Sequence, residues 1–160
     1  MDGDTVVLTT GGRSEDYARK ILELPEHSFI QMGDFSGYAI SQCAKKGIKK
    51  VYVGGFIGKF AKMATGVKQT HVKGSKVNME FLSELAKKCK AEENIIKKIK
   101  TANTARNVQE IILGSNVEGF FDEICSNVHR QMKSHSESKT SIEIILFDFG
   151  GNVLARHPKQ

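Results

Sequence analysis

The chain has 160 residues, of which 39% are hydrophobic and 26% charged, with only two prolines and a formal net charge of +6. This composition is typical of an ordinary globular domain that buries one core, and it excludes a disordered, collagenous or large multidomain protein. No apolar run approaches the roughly 20 residues that span a bilayer, and the acidic start is unlike a signal peptide, so we expect a cytoplasmic protein without a membrane partner.

The first part of the chain alternates between strands and helices. Hydrophobic and β-branched runs predict three strands, over 5–9, 27–32 and 49–54. Each run is followed by a glycine turn and by an apolar pattern that predicts a helix, over 15–24, 35–46 and 59–65. Strand, glycine turn and helix in repeated succession is typical of a parallel sheet covered by helices.

The middle of the chain is predicted to be helical after a polar interruption. Residues 67–77 show no clean period and predict an exposed basic loop, and Asn78 is placed to cap the helix that follows. One helical stretch is then predicted from 95 to 113, passing through 102–105, and a longer one begins at Val117.

The end of the chain predicts the last two strands. Residues 142–149 are the most hydrophobic run, and Gly150-Gly151 turns them into a short strand over 153–155, which predicts an antiparallel hairpin at the sheet edge. The expected fold is therefore a single α/β domain over 1–160. It is a three-layer sandwich with a mainly parallel sheet of about five strands and a C-terminal antiparallel edge hairpin.

Cysteines and histidines give no sign of a metal centre or a covalent nucleophile. The cysteines, at 43, 89 and 125, are far apart and lie among helix-forming residues, so we expect small buried side chains in a reducing compartment. No C-x-x-C or H-E-x-x-H is present, which predicts no metal held by protein ligands. No Ser/His/Asp or Cys/His arrangement stands out, and the catalytic residues stay unknown.

The first glycine turn, Thr10-Gly11-Gly12-Arg13-Ser14, has the residues of an anion site. Open α/β sheets bind ligands outside the carboxyl ends of their strands. Glycines admit a ligand to the backbone, a helix N-terminus favours negative charge, and Arg13 can hold a carboxylate with two N–H groups. A tight turn with a serine cap and a surface arginine fits the same residues, and the sequence alone leaves both interpretations open.

The other two turns add to the same edge of the sheet. Gly33-Asp34-Phe35 places an acidic residue about 20 residues beyond the first turn, where nucleotide-binding α/β folds hold a ribose, although Asp34 also fits a helix cap. The third turn has three residues between Gly54 and Gly58 where a phosphate loop needs four, and Phe60 follows Lys59, which excludes a nucleoside triphosphatase.

Basic side chains surround the predicted site. They are Lys59, Lys62, Lys68, His71 and Lys73; the alternative is a solvated surface for the lysines and a surface or capping role for His71. Two interpretations also stay open for Asn103 and Thr104, which either bind a ligand or mark a helix boundary.

Taken in order, several segments resemble those of one family, cobalt-precorrin-5B C(1)-methyltransferase of the anaerobic cobalamin route. The resemblance covers nearly the whole chain and rests on Leu8-Thr9-Thr10-Gly11-Gly12-Arg13-Ser14-Glu15, Gln31-Met32-Gly33-Asp34-Phe35, Gly58-Lys59 with Lys62 and Ala64, Thr70-His71, Glu80-Phe81-Leu82 with Leu85-Ala86, and Ala102-Asn103-Thr104-Ala105.

The resemblance implies methyl transfer from S-adenosyl-L-methionine to a ring carbon of a cobalt-corrinoid intermediate. The implied cofactor-binding residues are Thr10, Gly11, Gly12, Arg13, Ser14, Gly33, Asp34 and Phe35. The implied substrate-binding residues are Lys59, Lys62, Thr70, His71, Asn103 and Thr104. Members of this family are considerably longer, and this chain begins where their second half does, so a preceding half is an expected partner.

Two other functions compete with the methyltransferase. One is a non-catalytic module that binds a corrinoid or another polycarboxylate and needs a partner chain. Nucleic-acid binding is the weakest alternative, because the aromatic residues lie mainly at core spacing and arginine is scarce beside lysine, so we expect no nucleic-acid partner.

Overall fold

The computed structural model describes residues 3–66 and 77–159. Within them, five strands form one sheet in the order β2-β1-β3-β4-β5. The strands are β1 (Thr5–Thr9), β2 (Phe29–Gln31), β3 (Lys50–Gly55), β4 (Ser141–Phe147) and β5 (Val153–His157). The first four are parallel, and β5 pairs antiparallel with β4 at the sheet edge. The predicted α/β sandwich with its C-terminal edge hairpin is confirmed.

Helices cover both faces of the sheet. They are α1 (Gly12–Ile21), α2 (Ser36–Lys45), α3 (Ile57–Met63), α4 (Met79–Lys88), α5 (Glu93–Lys100), α6 (Ala105–Leu113) and α7 (Phe120–His135). Helix α1 packs on one face beside Val7, while α2, α3 and α7 share the larger core of the other face with Val6 and Leu8. Because neighbouring residues of a strand point to opposite faces, burial on both sides requires the continuous apolar runs seen in β1 and β4.

Two helices begin earlier than their apolar patterns predict. Helix α1 starts at Gly12, three residues before the predicted start, and α3 starts at Ile57, two residues early. Ser14 does not precede α1 as a cap: it lies in the first turn, where its hydroxyl donates to the Gly11 carbonyl at 2.9 Å. The glycine turns therefore form the first turns of helices, and their backbone amides point along the helix axes.

The helical stretch predicted from 95 to 113 is two helices. Helix α5 ends at Lys100, and Thr104 caps α6 by accepting a hydrogen bond from the Asn107 amide at 3.0 Å. The predicted cap at Asn78 is confirmed, with its side chain 3.0 Å from the Phe81 amide. The basic loop predicted over 67–77 falls almost entirely outside the described residues.

The cysteines are free thiols, as expected. Cys43 and Cys125 are buried, and burial raises the pKa of the Cys125 thiol far above its ordinary value. Cys89 differs from the expectation in being only partly buried, because it lies at the exposed end of α4. No helix in the described ranges is both long and apolar enough to cross a bilayer.

Candidate functional site

A pocket of about 310 Å³ opens at the carboxyl ends of the central strands. The first and third glycine turns and the residues after β4 form its wall, which consists of Thr10, Gly11, Gly12, Arg13, Ser14, Phe56, Gly58, Lys59 and Phe149. Open α/β sheets bind ligands in this position, and the volume lies at the lower end of the range for small-molecule sites. Five of the eight predicted cofactor-binding residues, those from Thr10 to Ser14, are brought together here.

The first turn of α1 is closed by side-chain hydrogen bonds. The buried Ser14 hydroxyl accepts from the Gly11 amide at 3.1 Å and lies 3.2 Å from the hydroxyl of Thr10. The first amides of a helix have no acceptor within the helix, and those of Gly12 and Arg13 belong to residues that line the pocket. This wall therefore favours an anionic group.

Lys59 connects the turns that follow three strands. Its ammonium group donates to the Thr10 carbonyl at 3.1 Å and lies 2.9 Å from a carboxylate oxygen of Asp34. Since β1 lies between β2 and β3 in the sheet, the Lys59 side chain crosses the end of β1 to reach the turn after β2. Asp34 does not itself line the pocket, and it acts on the pocket wall through Lys59.

Arg13 holds the backbone on the opposite side of the pocket. One terminal amino group donates to the Phe149 carbonyl at 2.8 Å, and its Nε lies 3.3 Å from the Tyr17 hydroxyl. Tyr17 donates to the same Phe149 carbonyl at 3.0 Å. Arg13 thus places positive charge at the pocket wall, but part of the guanidinium group predicted to hold a ligand is engaged in positioning Phe149.

Two stacked aromatic rings form the apolar wall. The ring centroids of Phe56 and Phe149 are 4.9 Å apart and their planes differ by 14°. The Arg106 guanidinium carbon lies 4.4 Å from the Phe149 centroid, which is within cation–π range. The pocket therefore has an aromatic wall next to the cationic side chains of Arg13 and Lys59, and Arg106 supports that wall from behind without lining the pocket.

The turn between β4 and β5 supports this aromatic wall. The Asp148 carboxylate accepts from the amides of Gly150 at 2.9 Å and Asn152 at 2.8 Å. Slight burial raises the pKa of Asp148, but the hydrogen bonds from Asn152 and the glycine amides outweigh it and hold the pKa below its ordinary value. Gly151 has φ +96°, and a Cβ there would lie 2.8 Å from the Tyr17 ring, so the turn needs glycine.

Phe149, which lines the pocket, and Arg106, which contacts its ring, were not among the predicted site residues. Ligands of open α/β sheets bind outside the carboxyl ends of the strands, and Phe149 lies just beyond such an end. It was not recognised because the last parallel strand was predicted to continue through residue 149. Arg106 was hidden because one continuous helix was predicted, whereas the break before Thr104 brings the start of α6 beside Phe149.

The remaining predicted residues are less tightly grouped. Gly33 forms a turn with φ +56°, and Phe35 is 53% exposed and lies outside the pocket. Asn103 and Thr104 are exposed at the start of α6, and Lys62 is half-buried on α3. Residues predicted between α3 and α4 lie outside the described part of the chain, namely Lys68, Thr70, His71 and Lys73. In the described part, no group of three metal-ligating side chains occurs.

Fold and pocket together define a three-layer α/β protein with a pocket whose wall favours an anionic group. The family model "CbiD, C-terminal domain" matches residues 69–158, which is more than half of the chain. The chain therefore belongs to the CbiD C-terminal domain family.

Curated relatives carry one name. A cobalt-precorrin-5B C(1)-methyltransferase of Priestia megaterium is 39% identical over 154 residues, which cover 93% of this chain and 42% of the relative. Proteins of the same name from Leptospira borgpetersenii serovar Hardjo-bovis (strain JB197) and Geobacillus sp. (strain WCH70) are 43% and 36% identical, again with 42% of the relative covered. The chain thus spans about two fifths of their length. No solved structure matches.

Proposed function

We propose that this chain is the donor-binding module of a cobalt-precorrin-5B C(1)-methyltransferase, with S-adenosyl-L-methionine as the methyl donor. The observation that carries the proposal is the pocket at the carboxyl ends of the parallel strands, because it joins a helix start that favours an anionic group to an aromatic wall. The relatives named for this activity match nearly the whole chain, which supports the same assignment.

The pocket has suitable groups for two parts of the donor. The methionine carboxylate fits the first turn of α1, where Gly12 and Arg13 offer backbone amides and a positive charge. The adenine ring fits against the edges of the Phe56 and Phe149 rings, since Phe56 stacks on Phe149 and Arg106 lies over the Phe149 ring. Asp34 lies outside the pocket wall, and its proposed contribution to donor binding is to hold Lys59 in position at that wall.

When bound, the donor supplies an activated methyl group on a sulfonium, and the protein's contribution is chiefly alignment. The substrate in this proposal is a cobalt-corrinoid, which brings its own cobalt and carries carboxylate arms. Lys59 and Lys62 on α3 and Asn103 and Thr104 before α6 lie on elements next to the pocket, and Thr70 and His71 complete the proposed substrate-binding set. The rest of the enzyme is the proposed partner of this chain.

A second function, a non-catalytic module that binds a polycarboxylate, is favoured by one observation. Arg13 and Lys59 place two cations in the wall of a single pocket, and Arg106 lies against Phe149 of the same wall. Such a module binds the carboxylates of its ligand through these cations and makes no use of the aromatic wall. Binding of the donor therefore separates the two functions.

Titration calorimetry with S-adenosylhomocysteine tests the proposal. We expect saturable heat from the chain, and Asp34→Ala is expected to weaken binding severalfold, because Lys59 loses the carboxylate that holds it at the pocket wall. Asp16→Ala removes an exposed carboxylate from α1 and serves as the control with unchanged affinity. Absence of saturable heat from folded protein contradicts donor binding. Corrinoid binding that weakens with added salt, without donor binding, favours the second function.

A further inference from the structure

A second, larger cavity lies beside the edge strand β2 and is lined by different residues from those of the donor pocket. It is a groove of about 560 Å³ between α2 and the outer strands, here called the α2 groove. Leu8, Met32 and Cys43 form its buried floor, and Ile30, Phe35 and Tyr38 form its rim. The groove continues from the carboxyl end of β2 along the inner side of α2.

The rim is unusually apolar for a surface that faces water. Ile30 is 46% exposed, Phe35 53% and Tyr38 67%. Single exposed hydrophobic residues are normal, but a cluster around one cavity marks an interaction site. The neighbouring strand β2 lies at the sheet edge, but it is only three residues long and offers little backbone for pairing, so docking here depends on the apolar side chains.

We propose that the α2 groove is the docking surface for the rest of the enzyme, the part of the curated relatives that lies outside this C-terminal domain. This inference rests on the proposed function. More than half of each relative's length lies outside the match, so a large partner segment exists for the groove to bind. Interfaces between parts that are always associated are more apolar than transient ones, as is this groove.

The chemistry of the groove specifies the docking segment. Its apolar floor requires hydrophobic side chains on the partner, and Lys46 at one end favours an acidic residue beside them. The α2 groove also adjoins the proposed donor site. Asp34 pairs with Lys59 at the donor pocket while the next residue, Phe35, lines the groove, so a segment bound in the groove lies next to the donor site.

A chimera tests this docking. In it, this chain replaces the matched region of the Priestia megaterium relative, and hydrogen exchange is compared between the chimera and the isolated chain. We expect residues 29–45 to exchange at least tenfold more slowly in the chimera. Tyr38→Glu is expected to remove that protection. Leu113→Glu, which alters a residue that is 55% exposed on α6, is the matched control that keeps it.

If the chimera does not fold, a second measurement tests the same docking. The unmatched part of the same relative is co-expressed with this chain carrying an affinity tag, and co-purification that Tyr38→Glu abolishes supports the docking. Equal exchange over 29–45 in both proteins, co-purification unaffected by Tyr38→Glu, or no co-purification at all overturns it. So does a dimer of this chain alone that Tyr38→Glu dissociates. Donor titration of the Tyr38→Glu variant reports separately on the proposed function.

Discussion

The ammonium group of Lys59 and the carboxylate of Asp34 meet at 2.9 Å across the carboxyl end of β1. These residues follow different strands, β3 and β2, and the same ammonium group also holds the carbonyl of Thr10 after β1. One side chain therefore fixes the relative positions of all three turns that sequence analysis assigned to the site. Lys59 is a positioning residue as well as a source of positive charge.

Lys59→Met is expected to weaken the site more than it weakens the fold. The pair is partly exposed, with Lys59 at 37% and Asp34 at 24%, so screening limits the loss in free energy of unfolding to about 1 kcal/mol. Affinity for S-adenosylhomocysteine is expected to fall severalfold, because the Asp34 and Thr10 turns lose their common donor. Urea unfolding and calorimetry measure the two effects.

The control for this prediction is Lys49→Met. Lys49 pairs with Asp4 at 3.3 Å, but both are strongly exposed and lie at the opposite end of the sheet. Its removal is expected to leave both the unfolding midpoint and the affinity unchanged. Equal loss of affinity in the two variants would show that general charge, rather than positioning, explains the effect of Lys59.

Gly55→Ala is expected to destabilise the protein by about 1–3 kcal/mol, the usual cost of overpacking. A Cβ at this position would lie 2.7 Å from the Thr10 side chain and 2.8 Å from the ring of Phe60, which is fully buried and cannot yield easily. At Gly58 no atom lies within 4 Å of a Cβ, so Gly58→Ala is expected to be neutral or slightly stabilising within α3. Urea unfolding of both variants checks the contrast, and equal stability refutes it.

The fold was predictable from the sequence because its signals are local. The β-branched run at Thr5–Thr9 and the glycines at 11 and 12 define a strand and a turn without reference to the rest of the chain. The parallel sheet follows from the repetition of that pattern. Part of the site was predictable for the same reason, since Gly11, Gly12 and Arg13 follow the first strand directly.

The aromatic wall was not predictable because its contacts join distant parts of the chain. Phe56, Arg106 and Phe149 are brought together only by the pairing of β3 with β4 and by the break before α6. The α2 groove is similar. Phe35 and Tyr38 belong to a helix that looks ordinary in sequence, and their exposure depends on how α2 lies against the sheet.

Stability is expected to decrease below neutral pH because of His129. Burial lowers the pKa of His129, the nearby His157 lowers it further, and a hydrogen bond with the Ile142 carbonyl at 3.1 Å only partly offsets this. In the unfolded chain the pKa is about 6.5, so as the pH falls below that value the unfolded state binds the proton first. The contribution of neutral His129 to stability is therefore fully present above about pH 6.5. It decreases as the pH falls, until the pH is below the lower pKa of His129 in the folded state.

Urea midpoints at pH 5.5 and 7.5 measure this difference. His129→Gln is expected to reduce it, whereas His27→Gln, at an exposed position before β2, is expected to preserve it. If both variants keep the full difference between the two pH values, His129 is not its source.

Phe149→Leu is expected to separate the aromatic wall from general packing. Leucine keeps apolar volume but loses the stack on Phe56 and the cation–π contact with Arg106, which together contribute about 1–2 kcal/mol to the free energy of unfolding. If adenine binds this wall, affinity for S-adenosylhomocysteine falls severalfold, because the base loses its contact with the edge of the Phe149 ring. The matched control is Phe121→Leu, which removes the edge contact with Phe120 at 5.5 Å on α7 and leaves the pocket untouched. Both variants are expected to lose similar stability, but only Phe149→Leu is expected to lose affinity. Equal affinities in calorimetry would place the adenine elsewhere and leave Phe149 with a packing role alone.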